Sequence, residues 1–346
     1  MAQQEQRVVD GKTILVTGGT GSFGQQFVET LLGTSRPQAI RIYSRDELKQ
    51  QQMQQRFPDS PLRFLLGDVR DKERLIRAMR GVDIVVHAAA LKQVPACEYN
   101  PFEAVKTNIL GAANVIDAAI DCRVQQVLAI SSDKAVNPVN LYGATKLCAE
   151  KLFVQGNAYT GWGDTRFSCA RYGNVVASRG SVIPLFLEQR SNEDLTVTDR
   201  RMSRFWITLE QGVEFVLRCL EVMHGGEIFV PKIPSMSIMD LVEAIAPGCQ
   251  VRVTGIRPGE KLHEVLIAPD EAWHTVEFPD MFVIQPTHPW WDMGHWEGGK
   301  RLPDGFVYSS QTNAERLSVE ALREMISRLG LNPPLAPTPS TEAAQT

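Results

Sequence analysis

The residue types best suited to chemistry are Ser132, Asp133 and Lys134, followed in the chain by Tyr142 and Lys146. A free tyrosine titrates near about 10, too high for a base at neutral pH. An ammonium within a few ångström favours the phenolate and lowers that value. On a helix, Tyr142 and Lys146 would share a face one turn apart. Such a pair can take a proton from a hydroxyl while hydride leaves the carbon that bears it. Asp133 and Lys134 add a carboxyl and an amine that burial can tune toward acid and base roles. The bland alternatives are an amphipathic tyrosine at a helix end, a solvated lysine, and an Asp-Lys turn pair. Tyr-x-x-x-Lys is common by chance, so it points to redox chemistry only where a nucleotide site precedes it.

Such a stretch does precede it. Thr13-Ile14-Leu15-Val16 reads as a buried strand running into Thr17-Gly18-Gly19-Thr20-Gly21-Ser22-Phe23-Gly24, which opens a helix to about Leu32. Glycines at 18, 21 and 24 permit the tight turn, the approach of a pyrophosphate, and close helix–strand contact. The helix N-terminus offers free N–H groups to phosphate. An ordinary turn is the alternative, but the strand before and the helix after are what a dinucleotide site requires. Thr20, Ser22 and Phe23 are expected to line it.

The second strand, Ile40–Tyr43, ends in Ser44-Arg45 rather than in a carboxylate. An arginine there suits a ribose 2′-phosphate, so NADP is expected over NAD. Asp46 can cap the helix that begins at Glu47. Leu62–Leu66 is a third strand, ending at Gly67-Asp68, where Asp68 could accept from the adenine amino group with Val69 beside it. Asp83–His87 is a fourth, ending in Ala88-Ala89-Ala90 with Lys92 just beyond; small residues let a flat cofactor lie on the backbone. A helical stretch from about Pro101 to Ala119 carries Asn108. Val127–Ile130 is a fifth strand. Asn137-Pro138 and Asn140 then mark a turn before a helix from Tyr142 to about Tyr159. Phe167–Arg171 reads as a sixth. Strands alternating with helices argue for an α/β fold with a doubly wound parallel sheet. Chemistry in such sheets sits beyond the carboxyl ends of the strands, where Ala88–Lys92 and Ser131–Lys134 both fall.

The expected organisation is a nucleotide-binding domain over 11–180, rejoined by 205–235 through a helix at Thr208–Val222 and a strand at Ile228–Val230. Residues 181–204 and 236–330 would form a smaller lobe over the active-site edge. Residues 1–10 look like a frayed terminus, and the proline-rich 331–346 has the composition of a disordered tail. Arg200, Arg201, Arg204, Arg257 and Lys261 are candidate anion ligands, since guanidinium forks match phosphate oxygens. Most surface arginines are merely solvated. Arg257-Pro258-Gly259-Glu260-Lys261 is the exception, because the Pro-Gly turn fixes its neighbours. His288, Asp292 and His295 could ligate a metal, but they sit among Trp290, Trp291 and Trp296, which read better as cover for the lobe or an interface, so no metal is expected. His263-Glu264 could be an acid–base pair but reads better as a helix-surface pair.

The 346 residues are 43% hydrophobic and 22% charged, as in globular proteins. With a formal net charge of -4 and no Lys/Arg run, no nucleic-acid partner is expected. No apolar stretch approaches the roughly 18 residues of a membrane span, and the N-terminus lacks a signal peptide's apolar core. Six cysteines without a Cys-x-x-Cys pair suggest neither zinc nor disulfides, and a cytoplasmic setting is the default.

These stretches resemble the extended short-chain dehydrogenase/reductase superfamily and, within it, the inverting UDP-N-acetylglucosamine 4,6-dehydratases that start pseudaminic acid biosynthesis. The resemblance rests first on Ser131-Ser132-Asp133-Lys134-Ala135, with Asn137-Pro138, Asn140 and Tyr142-Gly143-Ala144-Thr145-Lys146. His87–Pro95, Arg171–Val175, Arg204-Phe205-Trp206 and Arg257–Glu264 add to it, so it covers about residues 11–330. It implies a Rossmann fold with a C-terminal substrate lobe, a recycled NADP, a UDP-N-acetylglucosamine substrate and a homo-oligomer. Tyr142, with Lys146, would remove the 4-OH proton. Lys134 would act as base at C5, Asp133 as acid on the departing 6-OH, and Ser132 would orient the substrate hydroxyl. A proton reaching the opposite face of C5 would invert it. Lys92, Asn174, Val182, Arg204, Arg257 and Glu260 are the implied substrate contacts. The stretch from His288 to Trp296 resembles the family pattern least. A UDP-sugar epimerase or a retaining dehydratase is the alternative; membrane-anchored retaining relatives commonly carry methionine at the Tyr142 position. A non-catalytic nucleotide-sugar-binding regulator would be expected to have lost some of Asp133, Lys134, Tyr142 and Lys146, and none is lost.

Overall fold

Apolar, β-branched runs make the strands. In a computed structural model of the chain, which describes residues 7–58, 60–161, 165–176, 182–190, 194–288 and 293–331, seven of them lie parallel. They are β1 (Thr13–Thr17), β2 (Ala39–Ser44), β3 (Leu62–Leu66), β4 (Ile84–His87), β5 (Gln126–Ser132), β6 (Arg166–Tyr172) and β7 (Ile228–Pro231), in the order β3-β2-β1-β4-β5-β6-β7. A sheet covered on both faces needs continuous apolar strands rather than alternating ones, and every residue of β1 is buried. Ile14, Leu15 and Val16 are fully so. Each is worth roughly 1.5–3 kcal/mol, a large share of a domain's net ~5–15 kcal/mol.

The register aligns the carboxyl ends. Thr17 lies opposite Tyr43 and His87, and His87 opposite Ala129. The strand order steps outward on both sides of β1 and β4, which opens a crevice above them.

Beyond β7 the sheet turns antiparallel. β9 (Met281–Ile284) pairs with β7, β8 (Thr275–Glu277) with β9, and β10 (Lys300–Arg301) with β8. The sequence reading groups these residues with the lobe; in the structure they lengthen the main sheet, and Val276, Met281, Val283 and Ile284 join its core. A second core gathers Ile183, Phe186, Leu195, Trp206, Leu241, Ile245, Leu322 and Ile326. It lies beside a three-stranded sheet in which Ser203–Ile207 runs between Ser235–Ser237 and Asn174–Val175.

The helices start where their caps dictate. The Asp46 side chain accepts from Lys49 N at the start of Glu47–Arg56. Thr208 and Gln211 form a reciprocal capping box ahead of Leu209–Val222. The stretch read as one helix from Pro101 is interrupted. Helix Pro101–Val105 passes through a π-turn, Lys106–Leu110, into helix Gly111–Asp121. The wider turn carries Asn108. Its side chain holds both backbone groups of Leu91 and also donates to Thr145 Oγ1.

Among the described residues no helix is long and apolar enough to cross a membrane. Residues 1–6, the tail from 332 and Asp292 lie outside them.

Candidate active site

A cleft of about 580 Å³ lies over the carboxyl ends of β1, β2, β4 and β5. The glycine-rich turn forms its floor. Gly18 has φ +67, and a Cβ there would lie 2.9 Å from the Ala89 backbone. At Gly24 a Cβ would meet Gly19 backbone at 2.4 Å, so helix and turn touch directly. No side chain fits at either position, and the backbone N–H groups are left open to a phosphate. Gly18, Thr20, Gly21, Ser22, Phe23 and Gly24 line the cleft, as do Ser44, Arg45, Asp68, Val69, Ala88, Ala89, Ala90 and Lys92. Beneath them Thr17 Oγ1 and His87 Nδ1 hydrogen-bond at 2.8 Å. Burial, helped by Lys146, drives the His87 pKa down to about 3, so the ring is neutral.

At the adenosine end the charges are already paired. Arg45 Nη1 lies 3.4 Å from Asp68 Oδ2. Arg70 grips the same oxygen through Nε at 2.9 Å and Nη2 at 2.7 Å. Partial burial opposes the Asp68 charge, but these cations hold its carboxyl below the ordinary value. Arg45 is more than half exposed and free to turn.

At the other end, β5 delivers Ser132, Asp133 and Lys134. Ser132 caps the short 3-10 turn Asp133–Ala135, accepting from Lys134 N. Its hydroxyl donates to Asp133 Oδ1 at 2.7 Å. Lys134 Nζ donates to the same oxygen at 2.9 Å and to Asn174 Oδ1 at 3.2 Å. Asp133 is fully buried, and its Oδ2 has no hydrogen-bond partner among the described residues. Burial works against the Lys134 cation, but Asp133 and Glu264 outweigh it and raise its pKa above an ordinary lysine's. At neutral pH Lys134 is therefore an ammonium.

The next helix, Leu141–Gly156, is capped by Asn140, whose side chain accepts from Gly143 N at 2.8 Å. Tyr142 and Lys146 line the cleft one turn apart, as their spacing predicts. Lys146 Nζ donates to the Ile130 carbonyl at 2.6 Å, and burial lowers its pKa. The sequence reading has Lys146 pulling the phenol down. In the structure burial pushes the Tyr142 pKa up to about 12, and the cation that opposes it is Lys134, with a hydrogen-bonding contribution from Ser132.

Of the implied substrate contacts, Lys92 and Asn174 line the cleft, while Val182, Arg204, Arg257 and Glu260 do not. Val182 opens the helix Val182–Arg190 against the lobe core. Arg204 spends its donors on the carbonyls of Ser203, Lys261 and Leu262. Arg257 is exposed, and the turn it shares with Glu260 is held by Asn140 Nδ2, which donates to Gly259 O at 2.8 Å. His295 stacks on His224 with ring centroids 4.1 Å apart, and no metal-binding cluster exists among the described residues.

Two features escape the sequence reading. Glu264, read as surface, is only 3% exposed, with Oε1 3.6 Å from Lys134 Nζ. Arg171 is fully buried on β6 and holds both Glu150 and Glu271 through paired hydrogen bonds. A buried strand carrying one arginine, and a glutamate one turn past Lys146, were the available signals for the second.

Residues 14–286 match the family described as polysaccharide biosynthesis protein. The chain belongs to that family. Within it, a Campylobacter jejuni relative named UDP-N-acetylglucosamine 4,6-dehydratase (inverting) is 52% identical over 92% of this chain and 98% of its own length. A Rickettsia massiliae relative named UDP-glucose 4-epimerase is 40% identical over 92% of this chain and 96% of its own. Among solved structures, Pen from Bacillus thuringiensis superposes with a TM-score of 0.84 at 40% identity, covering 92% of this chain and 99% of that one. This membership accords with the inverting dehydratase family that the motifs resemble.

Proposed function

We propose that the chain is a UDP-N-acetylglucosamine 4,6-dehydratase that inverts C5 and yields a UDP-2-acetamido-2,6-dideoxy-hexos-4-ulose. One observation carries this reading: Lys134 Nζ stands 2.9 Å from Asp133 Oδ1 in the site that also presents Tyr142 and Lys146. Epimerisation at C4 needs oxidation and reduction at one carbon; an adjacent acid–base pair serves an elimination. The names of the relatives at 52% and 53% identity agree.

The glycine cradle, which a Cβ would fill, fits a dinucleotide. When bound, the nicotinamide accepts hydride from C4 and returns it to C6. Tyr142 takes the 4-OH proton, and Lys134 is the cation that opposes the burial of its phenolate. The 4-ketone acidifies the C5 proton. Lys134 removes that proton, and Asp133, which does not itself line the cleft but whose Oδ1 bonds Ser132 and Lys134 that do, is the acid for the departing 6-OH. Ser132 orients the hydroxyl, and Lys92 and Asn174, which line the cleft, face the sugar. A proton arriving on the opposite face of C5 inverts it. Ser44 and Arg45 favour NADP over NAD, because the exposed Arg45 fork can leave Asp68 for a 2′-phosphate. We take the working form as a cytoplasmic homo-oligomer supplying pseudaminic acid synthesis, on the family resemblance.

The test is mass and proton NMR analysis of the product from UDP-N-acetylglucosamine in deuterated water, without added cofactor. Loss of water, a new C6 methyl signal, deuterium at C5 and couplings of the inverted isomer are expected. Unchanged mass with altered C4 would make the chain an epimerase. Identifying the nucleotide released on denaturation decides between NADP and NAD.

A further inference from the structure

Asp133 is sealed from solvent. It is fully buried, and its Oδ1 meets only the Ser132 hydroxyl and the Lys134 ammonium among the hydrogen bonds of the described residues. Any proton that Asp133 gives to a leaving hydroxyl must be regained through such neighbours. Lys134 is the stronger source, a quarter exposed and already positively charged.

Lys134 also faces a second carboxylate, Glu264, which the sequence reading leaves on the surface. Glu264 is anchored through its backbone: its N donates to Ser310 Oγ at 2.9 Å, and its carbonyl accepts from Ser310 N at 2.8 Å. Its Oε1 lies 3.6 Å from Lys134 Nζ and 3.8 Å from Arg204 Nε, and its Oε2 lies 3.8 Å from Lys261 Nζ. These distances are too long for good hydrogen bonds, and Oε2 has no hydrogen-bond partner among the described residues. Burying a carboxylate this way costs several kcal/mol unless cations compensate it. Arg204 and Lys261 are committed to backbone carbonyls. Lys134 is the cation that the chemistry uses.

We propose that Glu264 is a positioning residue that keeps Lys134 protonated between turnovers, so that the sealed Asp133 always has an adjacent ammonium from which to recharge. This rests on the dehydration reading, and its proton ledger closes. A turnover begins when the proton crosses from Lys134 Nζ to Asp133 Oδ1, leaving a neutral pair. Lys134 then takes the C5 proton as the C5–C6 double bond forms and the C6–O bond breaks. The Asp133 proton leaves with the hydroxyl as water. The pair ends as it began, with one proton, on Lys134, and the new C5 proton comes from a different group on the opposite face. Glu264 stabilises that resting ion pair. The charged and titratable groups facing Lys134 are Asp133, Glu264, Arg204, Lys261 and Tyr142.

The experiment is the pH profile of kcat from about pH 6 to about pH 10 for the wild type, Glu264→Gln and Glu264→Asp. Alongside it, the Lys134 side-chain carbon NMR signal is titrated in the cofactor-loaded protein, identified by its loss in Lys134→Arg. Loss of the Glu264 charge should lower the Lys134 titration, so that kcat and the Lys134 carbon signal begin to change at a lower pH in Glu264→Gln than in the wild type. Glu264→Asp keeps the charge and should leave both near their wild-type positions, which also guards against a folding defect in the glutamine variant. Profiles that scale down without shifting, with an unmoved Lys134 titration, would overturn the proposal. If the wild type fails to dehydrate the sugar, the functional reading falls, while the NMR titration still decides whether Glu264 governs the Lys134 proton.

Discussion

Asp133 Oδ1 receives two donors, from Ser132 and Lys134, while the buried Oδ2 has no hydrogen-bond partner among the described residues. Asp133→Asn keeps the shape and removes the acid proton. C4 oxidation should survive, so reduced nicotinamide should accumulate at 340 nm while release of dehydrated product falls by about 10²–10⁴-fold. An equal fall in both signals would mean that Asp133 serves only to hold the site. At this scale the sequence reading reaches the residues on the glycine turn, after β4, after β5 and on the following helix, because each sits at a fixed offset from a strand end. It misses Glu264, since a charged residue between Lys261 and Val265 looks solvated until the fold covers it. It also misses that Lys134, rather than Lys146, supplies the field opposing burial at Tyr142, because that depends on where each ammonium turns.

Asn140 belongs to the element scale. It caps the Tyr142 helix through Oδ1 and holds the Gly259 carbonyl through Nδ2. Asn140→Ala should cost about 1 kcal/mol from the cap, read as a fall in the urea midpoint. It should also raise KM for the nucleotide sugar, because the Arg257–Glu260 turn loses its tether. A lowered midpoint with unchanged KM would separate that turn from binding. Strand–turn–helix order is legible in sequence because apolar runs and caps are local. The π-turn at Lys106–Leu110 is not, since its amphipathic pattern continues that of the flanking helices and only the distant partners Leu91 and Thr145 explain it.

Arg171 ties the whole molecule together. It joins β6 to Glu150 on the catalytic helix and to Glu271 and the Leu266 carbonyl of the C-terminal half. Arg171→Met would strand the buried Glu150 carboxylate and the partly buried Glu271 carboxylate and should cost about 3–5 kcal/mol at neutral pH, measured by urea unfolding. The pH dependence has a definite sign. Burial raises the Glu271 pKa, but Arg171 outweighs it and holds the group below its ordinary 4.5. Its contribution is thus present above about 4.5 and lost as pH falls through the lower folded value. In the variant the largest stabilising charge is gone and burial is opposed only by the Ala268 N–H and His274, so the gap to wild type should narrow on acidification; a constant gap would contradict the pairing. The antiparallel extension β8–β10 was not legible for a related reason. Its strands are short, and their partner β7 is far away in sequence.

The segment from Gly259 to Glu264 touches the loop between β5 and the catalytic helix at three points: Gly259 O on Asn140, Lys261 Nζ on the Val136 carbonyl, and Glu264 beside Lys134. The backbone tether on Asn140 and the second counter-ion of Lys134 therefore hang on one short segment, so a change that loosens one loosens the other, while the Asn140 cap on Gly143 N belongs to the helix side and stays in place.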